Sequence, residues 1–150
     1  MTGPMTGDQA KARETYRGVA HPWQCDVMGH LTTRFYAAMF DDASYHFTAY
    51  LGGYVSAEGS ERLGWADVRL ETDFLAELRA GDLTLIRSRP LRIGSKSMTT
   101  LHEMENLKSG AIAARLTMTT VRFDLDRRKA APLEPALRRK LEAWIAGNSS

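Results

Sequence analysis

His21-Pro22-Trp23-Gln24-Cys25-Asp26-Val27-Met28-Gly29-His30 leads directly into Leu31 to Gly53, a stretch without Pro or Gly until Gly52. Apolar residues recur there at Phe35, Met39, Ala43, Phe47 and Tyr50/Leu51, and Tyr36 and Phe40 widen the stripe. A spacing of three to four lines one face of a helix. The pattern predicts one long, largely covered helix over Leu31 to Gly53, with Asp41 and Asp42 off the stripe. Thr32 or Thr33 suits the N-cap, where a hydroxyl accepts a hydrogen bond from a free first-turn N–H. Gly52-Gly53 suits the stop, because Gly enters the left-handed region without a Cβ clash. The ten residues in front then form a loop that brings an acid, Asp26, to the helix start.

Outward from this unit the chain reads as sheet. Tyr16 to Ala20 is a short strand candidate, preceded by an aperiodic polar arm over residues 1–15. Tyr54 to Gly64 reads as loop. Ala66, Val68, Leu70, Thr72, Phe74, Ala76 and Leu78 alternate with charged residues, which predicts a strand with one face on a core. Ala80-Gly81-Asp82 turns the chain into a second long strand, Leu83 to Ile93, where Pro90 marks an edge or a bulge. Lys96 to Glu105 and Ala111 to Asp124 follow across short turns, so neighbours are expected to pair antiparallel as a meander. Leu133, Leu137, Leu141 and Trp144/Ile145 recur at helical spacing behind Pro132 and Pro135. They form a short amphipathic helix that closes over the sheet. The expected architecture is α+β: a long central helix wrapped by a curved antiparallel sheet of about five strands. Residues 16–150 form its single domain. A single sheet leaves an edge strand bare, and pairing two copies removes that edge, so a homo-oligomer is expected.

Composition excludes several classes. A net charge of +2, from 20 basic and 18 acidic residues spread along the chain, is no nucleic-acid or membrane footprint. The lone Cys25 allows no internal disulfide and fits a reducing, cytoplasmic setting. The first residues lack the apolar core of a signal peptide, and no apolar run approaches a membrane span of about 20 residues. There is no Gly-x-Ser-x-Gly elbow, Walker loop, Gly-x-Gly-x-x-Gly, Cys-x-x-Cys or His-Glu-x-x-His. His21, Cys25, Asp26 and His30 match no zinc spacing, so no metal is expected.

Asp26 with Gly29-His30 at a helix start remains. First-turn N–H groups and the positive dipole end suit a carbonyl oxygen gaining charge in acyl transfer. A carboxylate beside it can attack the carbonyl or take a proton from an attacking water. Read alone, the same Asp also suits a plain turn or cap. His30 is a candidate base or loop-ordering group, and Cys25 a candidate nucleophile or a small packed side chain.

The run Trp23 to His30, with Tyr36 and the Leu51-Gly52 helix end, resembles the opening motif of hotdog-fold acyl-CoA thioesterases of the 4-hydroxybenzoyl-CoA thioesterase type. The resemblance covers about Tyr16 to Asp124. It implies Asp26 as the catalytic carboxylate, the Thr33 backbone N–H as the group that polarises the thioester carbonyl, and Gly29 and His30 as loop-shaping residues. Many members carry Asn where this chain has Thr32. The resemblance further implies Trp23 and Tyr36 along an acyl pocket, and Arg92, Ser95, Lys96 and Ser97 near the CoA phosphates, with Asp26 and Lys96 from different subunits. An acyl-CoA would be the substrate and coenzyme A would enter only with it. The protein would be a dimer or a dimer of dimers. A hotdog dehydratase or hydratase and a non-catalytic acyl-CoA-binding module stand as the alternatives.

Overall fold

The computed structural model describes residues 11–55 and 61–147. Its elements are β1 (Arg13–Val19), a 3-10 turn (Pro22–Gln24), α1 (Thr33–Ala49), β2 (Leu63–Phe74), β3 (Leu83–Ile93), β4 (Ser97–Asn106), β5 (Ile112–Asp124), β6 (Lys129–Ala130) and α2 (Pro135–Ile145). The strands form one antiparallel sheet in the order β1-β3-β4-β5-β2, with β6 added beside β5. This is the hotdog architecture, a long helix held against one curved sheet. Among the described residues no helix is long and apolar enough to cross a membrane.

The helix starts two residues later than its pattern predicts, because Leu31 pairs with Cys25 as a bridge and is extended. It ends at Ala49, and Gly52 and Gly53 both take positive φ, with the Gly53 N–H returning to the Thr48 carbonyl at 2.9 Å. Its buried face is Tyr36, Met39, Phe40, Ala43, Ser44, Phe47 and Thr48. The first half packs on Leu78, Ile86, Met104, Ala114, Leu116 and Met118. Phe47, beyond it, joins Trp65, Met98 and the apolar face of α2, Leu137, Leu141 and Trp144. The terminal helix thus closes the far end of the core, anchored by the Trp144 indole N–H on the Lys11 carbonyl at 2.6 Å.

Four expectations need correction. β1 begins at Arg13, inside the stretch assigned to an arm, because Thr15 pairs inward with Ser88; residues 1–10 lie outside the described residues. β2 covers Leu63–Phe74, so part of the expected loop is strand and Ala76 to Leu78 is not. Its alternation is reset by a register shift between Asp67 and Arg69. Leu63 and Trp65 are buried, whereas Val68, Leu70 and Phe74 are half or more exposed. Finally, β2 does not pair with β3. The chain crosses the end of the sheet after Phe74, places Leu78 under α1, and begins β3 beyond two intervening strands, β5 and β4. Only β3-β4-β5 is a meander. Pro90 sits at a register shift against β4 and beyond the last β1 pair at Ser88, so its missing N–H leaves no ladder bond unmade.

Inside the sheet, His102 is fully buried. Its Nδ1 lies 2.5 Å from Ser88 Oγ and its Nε2 lies 3.0 Å from Thr100 Oγ1. Burial pulls its pKa from 6.5 down to about 4. The folded protein therefore keeps His102 neutral where the unfolded chain has already bound a proton. Stability is full above pH 6.5 and falls as pH drops towards 4, by up to about 3 kcal/mol. Urea midpoints measured across that window should fall for the wild type and stay flatter for His102→Gln. Equal slopes would show that another group controls the transition.

Candidate active site

The Asp26 loop is built by short-range chemistry. One Asp26 carboxylate oxygen, Oδ1, accepts the Met28 N–H at 2.8 Å and the His30 N–H at 3.2 Å. The Gly29 N–H donates to the Asp26 carbonyl at 3.0 Å, and Gly29 takes φ +81°, which a side chain would strain. Residues on either side run antiparallel: Asp26 N–H to His30 C=O at 2.8 Å, the Cys25–Leu31 bridge, and Thr32 N–H to Gln24 C=O at 3.0 Å. Alternation along this small ladder puts Asp26, His30 and Thr32 on one face. Leu31 turns the other way into the core, where it is 4% exposed. The ladder is fixed to the segment that crosses from β2 to β3 by the Leu31 N–H on the Leu78 carbonyl at 2.7 Å.

At the helix start, the Phe35 and Tyr36 N–H groups both turn to the Thr32 carbonyl, at 3.0 and 3.3 Å. Thr33 and Arg34 precede them, so their N–H groups have no acceptor within α1. Thr32 occupies the N-cap, yet its side chain makes no cap hydrogen bond. The expected hydroxyl cap is thus not formed. Asp26 is half-buried, and its second oxygen, Oδ2, takes no hydrogen bond among the described residues. The loop therefore holds a carboxylate with one free oxygen beside the open amide end of a helix.

A model of the Thioesterase-like superfamily matches residues 20–141, spanning this loop, α1, the whole of the sheet but β1, and the first part of α2. The chain belongs to that superfamily. Its chemistry is thioester hydrolysis. No curated protein matches the sequence. Among solved structures, a thioesterase described as putative from Pseudomonas putida KT2440 superposes with a TM-score of 0.76 at 19% identity, covering 91% of this chain and 86% of that one. A 1,4-dihydroxy-2-naphthoyl-CoA thioesterase from Synechocystis gives 0.68 at 19%, covering 87% and 93%. A Staphylococcus aureus protein in complex with CoA gives 0.72 at 13%, covering 99% and 90%. At these identities the likeness is one of fold.

Within this thioesterase-superfamily chain the expected site residues divide into two groups. Asp26, Gly29 and His30 close one loop, and the Thr32 N–H on the Gln24 carbonyl ties that loop to the start of α1, where Thr33 and Tyr36 stand. The His30 imidazole Nε2 sits 3.0 Å from Glu77 Oε2, a partner that the sequence pattern did not single out. Tyr36 is 5% exposed and meets the Phe74 ring edge-on at 5.1 Å, and burial raises its pKa. Trp23 is 69% exposed, stacked on His21 and edge-on to Phe35. Cys25 is half-buried, with Sγ 3.5 Å from the His21 carbonyl.

Arg92, Ser95, Lys96 and Ser97 form a separate group on the β3–β4 turn, and the first three are exposed. The Ser95 carbonyl accepts the Leu133 N–H at 3.0 Å, and the Arg138 guanidinium reaches the Gly94 carbonyl at 2.5 Å. This turn lies at the end of β3, whereas the Asp26 loop lies at its start, beside Leu78 and Arg79. Eleven residues of β3 separate them, about 35 Å. One chain does not bring the two groups together.

Proposed function

We propose that the protein hydrolyses an acyl-CoA thioester to free acid and coenzyme A, with Asp26 as the carboxylate that drives the reaction. The observation that carries this is the free Oδ2 of Asp26 beside the open N–H groups at the start of α1, in a member of the thioesterase superfamily. The Thr33 N–H would hold the thioester oxygen as it gains charge, a contribution of about 10²–10³ in rate for one well-placed donor. Asp26 would take a proton from water as it attacks, or attack the carbonyl itself with water completing the second step. His30 is already tied to Glu77. It supports the loop and leaves Asp26 without the free histidine that a hydratase reading needs. Coenzyme A enters as part of the substrate, and no other cofactor is required. The single thiol fits a cytoplasmic setting.

The working unit is a homodimer joined along β2. β2 is an edge strand, and Val68, Leu70, Phe74 and Leu75 on or beside it are 60, 59, 52 and 52% exposed. A second copy would pair its β2 antiparallel and cover them. β2 runs from the end of the sheet that holds the β3–β4 turn to the end that holds Asp26. Antiparallel pairing therefore brings the copy's β3–β4 turn to the Asp26 end. Arg92, Ser95, Lys96 and Ser97 of one subunit would then meet the CoA phosphates of a thioester bound at Asp26 of the other.

The test of function is thiol release from short, branched, long-chain and aromatic acyl-CoAs. Turnover of at least one is expected, and release from none would withdraw the reading. For the dimer, light scattering should report twice the chain mass of 16.7 kDa, and Leu70→Lys should shift the protein towards the monomer. A wild-type monomer at micromolar concentration would refute β2 pairing.

A further inference from the structure

The two donors on Asp26 Oδ1 are not equivalent. Met28, at 2.8 Å, lies with Val27 on the exposed tip of the loop, so its N–H moves with the tip. His30, at 3.2 Å, stands on the returning side, next to Leu31, which is buried in the core. The His30 N–H is therefore the bond that ties the carboxylate to the body of the protein. It is also the longer of the two, at the outer end of the usual range, so a small turn of the peptide at His30 breaks it.

The segment that crosses from β2 to β3 grips His30 from outside the loop. Arg79 forms a bridge with His30, and the Leu78 carbonyl takes the Leu31 N–H at 2.7 Å. These are backbone contacts, and they fix the path of the chain. The His30 ring has one partner among the described residues, Glu77, whose Oε2 lies 3.0 Å from Nε2. A carboxylate only accepts, so Nε2 carries the proton. The Arg79 guanidinium approaches the same Glu77 oxygen at 3.9 Å. His30 is thus held at both ends, its ring on Glu77 and its N–H on Asp26.

We propose that Glu77 is a positioning residue for the hydrolysis: by holding the His30 ring it keeps the His30 N–H on Asp26 Oδ1 and so keeps Oδ2 as the free oxygen of the site. This rests on the hydrolase reading above. Glu77 touches no reacting atom and takes no proton from one. Its side chain is largely exposed, and an ion pair so placed adds little to stability. Its contribution is to geometry, through two contacts in series.

The experiment measures thiol release by the wild type, Glu77→Ala, Glu77→Gln and Asp26→Asn on whichever acyl-CoA the wild type turns over. Tm and the tautomer of the His30 ring, read by nitrogen NMR, are taken on the same preparations. In Glu77→Ala, a carboxylate displaced by a fraction of an ångström should lower kcat about tenfold. KM should be unchanged and Tm close to that of the wild type. Gln presents an amide oxygen to Nε2–H and keeps the bond without the charge, so Glu77→Gln should recover most of kcat. The ring proton should sit at Nε2 in the wild type and in Glu77→Gln, and divide between the two nitrogens in Glu77→Ala. Wild-type kcat in Glu77→Ala, with Asp26→Asn inactive, overturns the role of Glu77 and leaves the hydrolase reading standing. An equal loss in Glu77→Ala and Glu77→Gln also overturns it, because charge and not geometry would then be responsible. So does a loss that tracks a fall in Tm, which would make the pair structural, or a raised KM at wild-type kcat, which would make Glu77 a binding residue. An unchanged ring tautomer in Glu77→Ala counts against it in the same way. No thiol release by the wild type from any acyl-CoA removes both readings.

Discussion

Asp26→Asn is expected to abolish most thiol release, with kcat lower by about 10²–10⁴-fold, while Tm stays within a degree or two of the wild type. The separation follows from the two oxygens. Oδ1 has a structural task, accepting the Met28 and His30 N–H groups that close the loop. The amide oxygen of Asn can accept both bonds, so the loop and the helix start should persist. What the amide cannot do is take a proton from water or attack a carbonyl, and that is the task assigned to Oδ2. Activity and far-UV circular dichroism measured on one preparation decide the matter. Full activity in Asp26→Asn would reduce the residue to a turn-former. Lost activity together with a large loss of Tm would show that the loop tolerates no substitution and that the rate effect is indirect.

The largest expected loss of stability is at the other end of the molecule. Arg122 is 4% exposed on β5. Its Nε and one terminal nitrogen grip both oxygens of Glu134 at 3.1 and 2.8 Å, and the other terminal nitrogen donates to the Gly64 carbonyl at 3.2 Å. The guanidinium also lies over the Trp65 ring, 4.7 Å from its centroid. Partial burial pushes the Glu134 pKa up, but the Arg122 hydrogen bond, a backbone hydrogen bond and the Arg122 charge together hold the carboxyl below its usual value. One side chain thus joins β2, β5 and the lead into α2. Removing one partner of a buried ion pair costs about 3–5 kcal/mol. Glu134 is about a third exposed, which places Arg122→Ala near the lower end, about 3 kcal/mol. For a chain of this length that is a fall in Tm of roughly 6–12 °C. Arg122→Met/Glu134→Leu should recover part of it, since apolar replacement leaves no stranded charge. A change under about 1 kcal/mol in Arg122→Ala would mean that water replaces the pair.

The Asp26 loop was readable from residues because it is local. Asp26, Gly29 and His30 lie within five residues, and the bonds that close the loop join those same residues. The helix was readable for a similar reason: its stripe repeats within each turn, and Gly52 and Gly53 mark its end. The register shift in β2 and its place in the sheet are non-local. Nothing in Asp67 to Arg69 announces a register shift, since that depends on which strand lies alongside. The turn at Ala80-Gly81-Asp82 looks like a hairpin, yet the chain has already crossed the sheet before it. Alternation reports that one face is apolar without saying whether a helix or a second copy covers it.

Two features of the site likewise had no local signal. Glu77 finds His30 only because the crossing segment passes under the start of α1. Thr32 reads as an ordinary N-cap, yet its hydroxyl is enclosed and unbonded, while its N–H pairs with the Gln24 carbonyl. The sequence by itself determined the helix, the β3-β4-β5 strands and the Asp26 loop, because hydrogen bonds and periodicities within a few residues specify each. Tertiary structure alone decided the strand order, the bare β2 edge, the partner of His30 and the isolation of the Thr32 hydroxyl. Those depend on which distant surfaces compete to be covered, and short-range patterns carry no record of the winner.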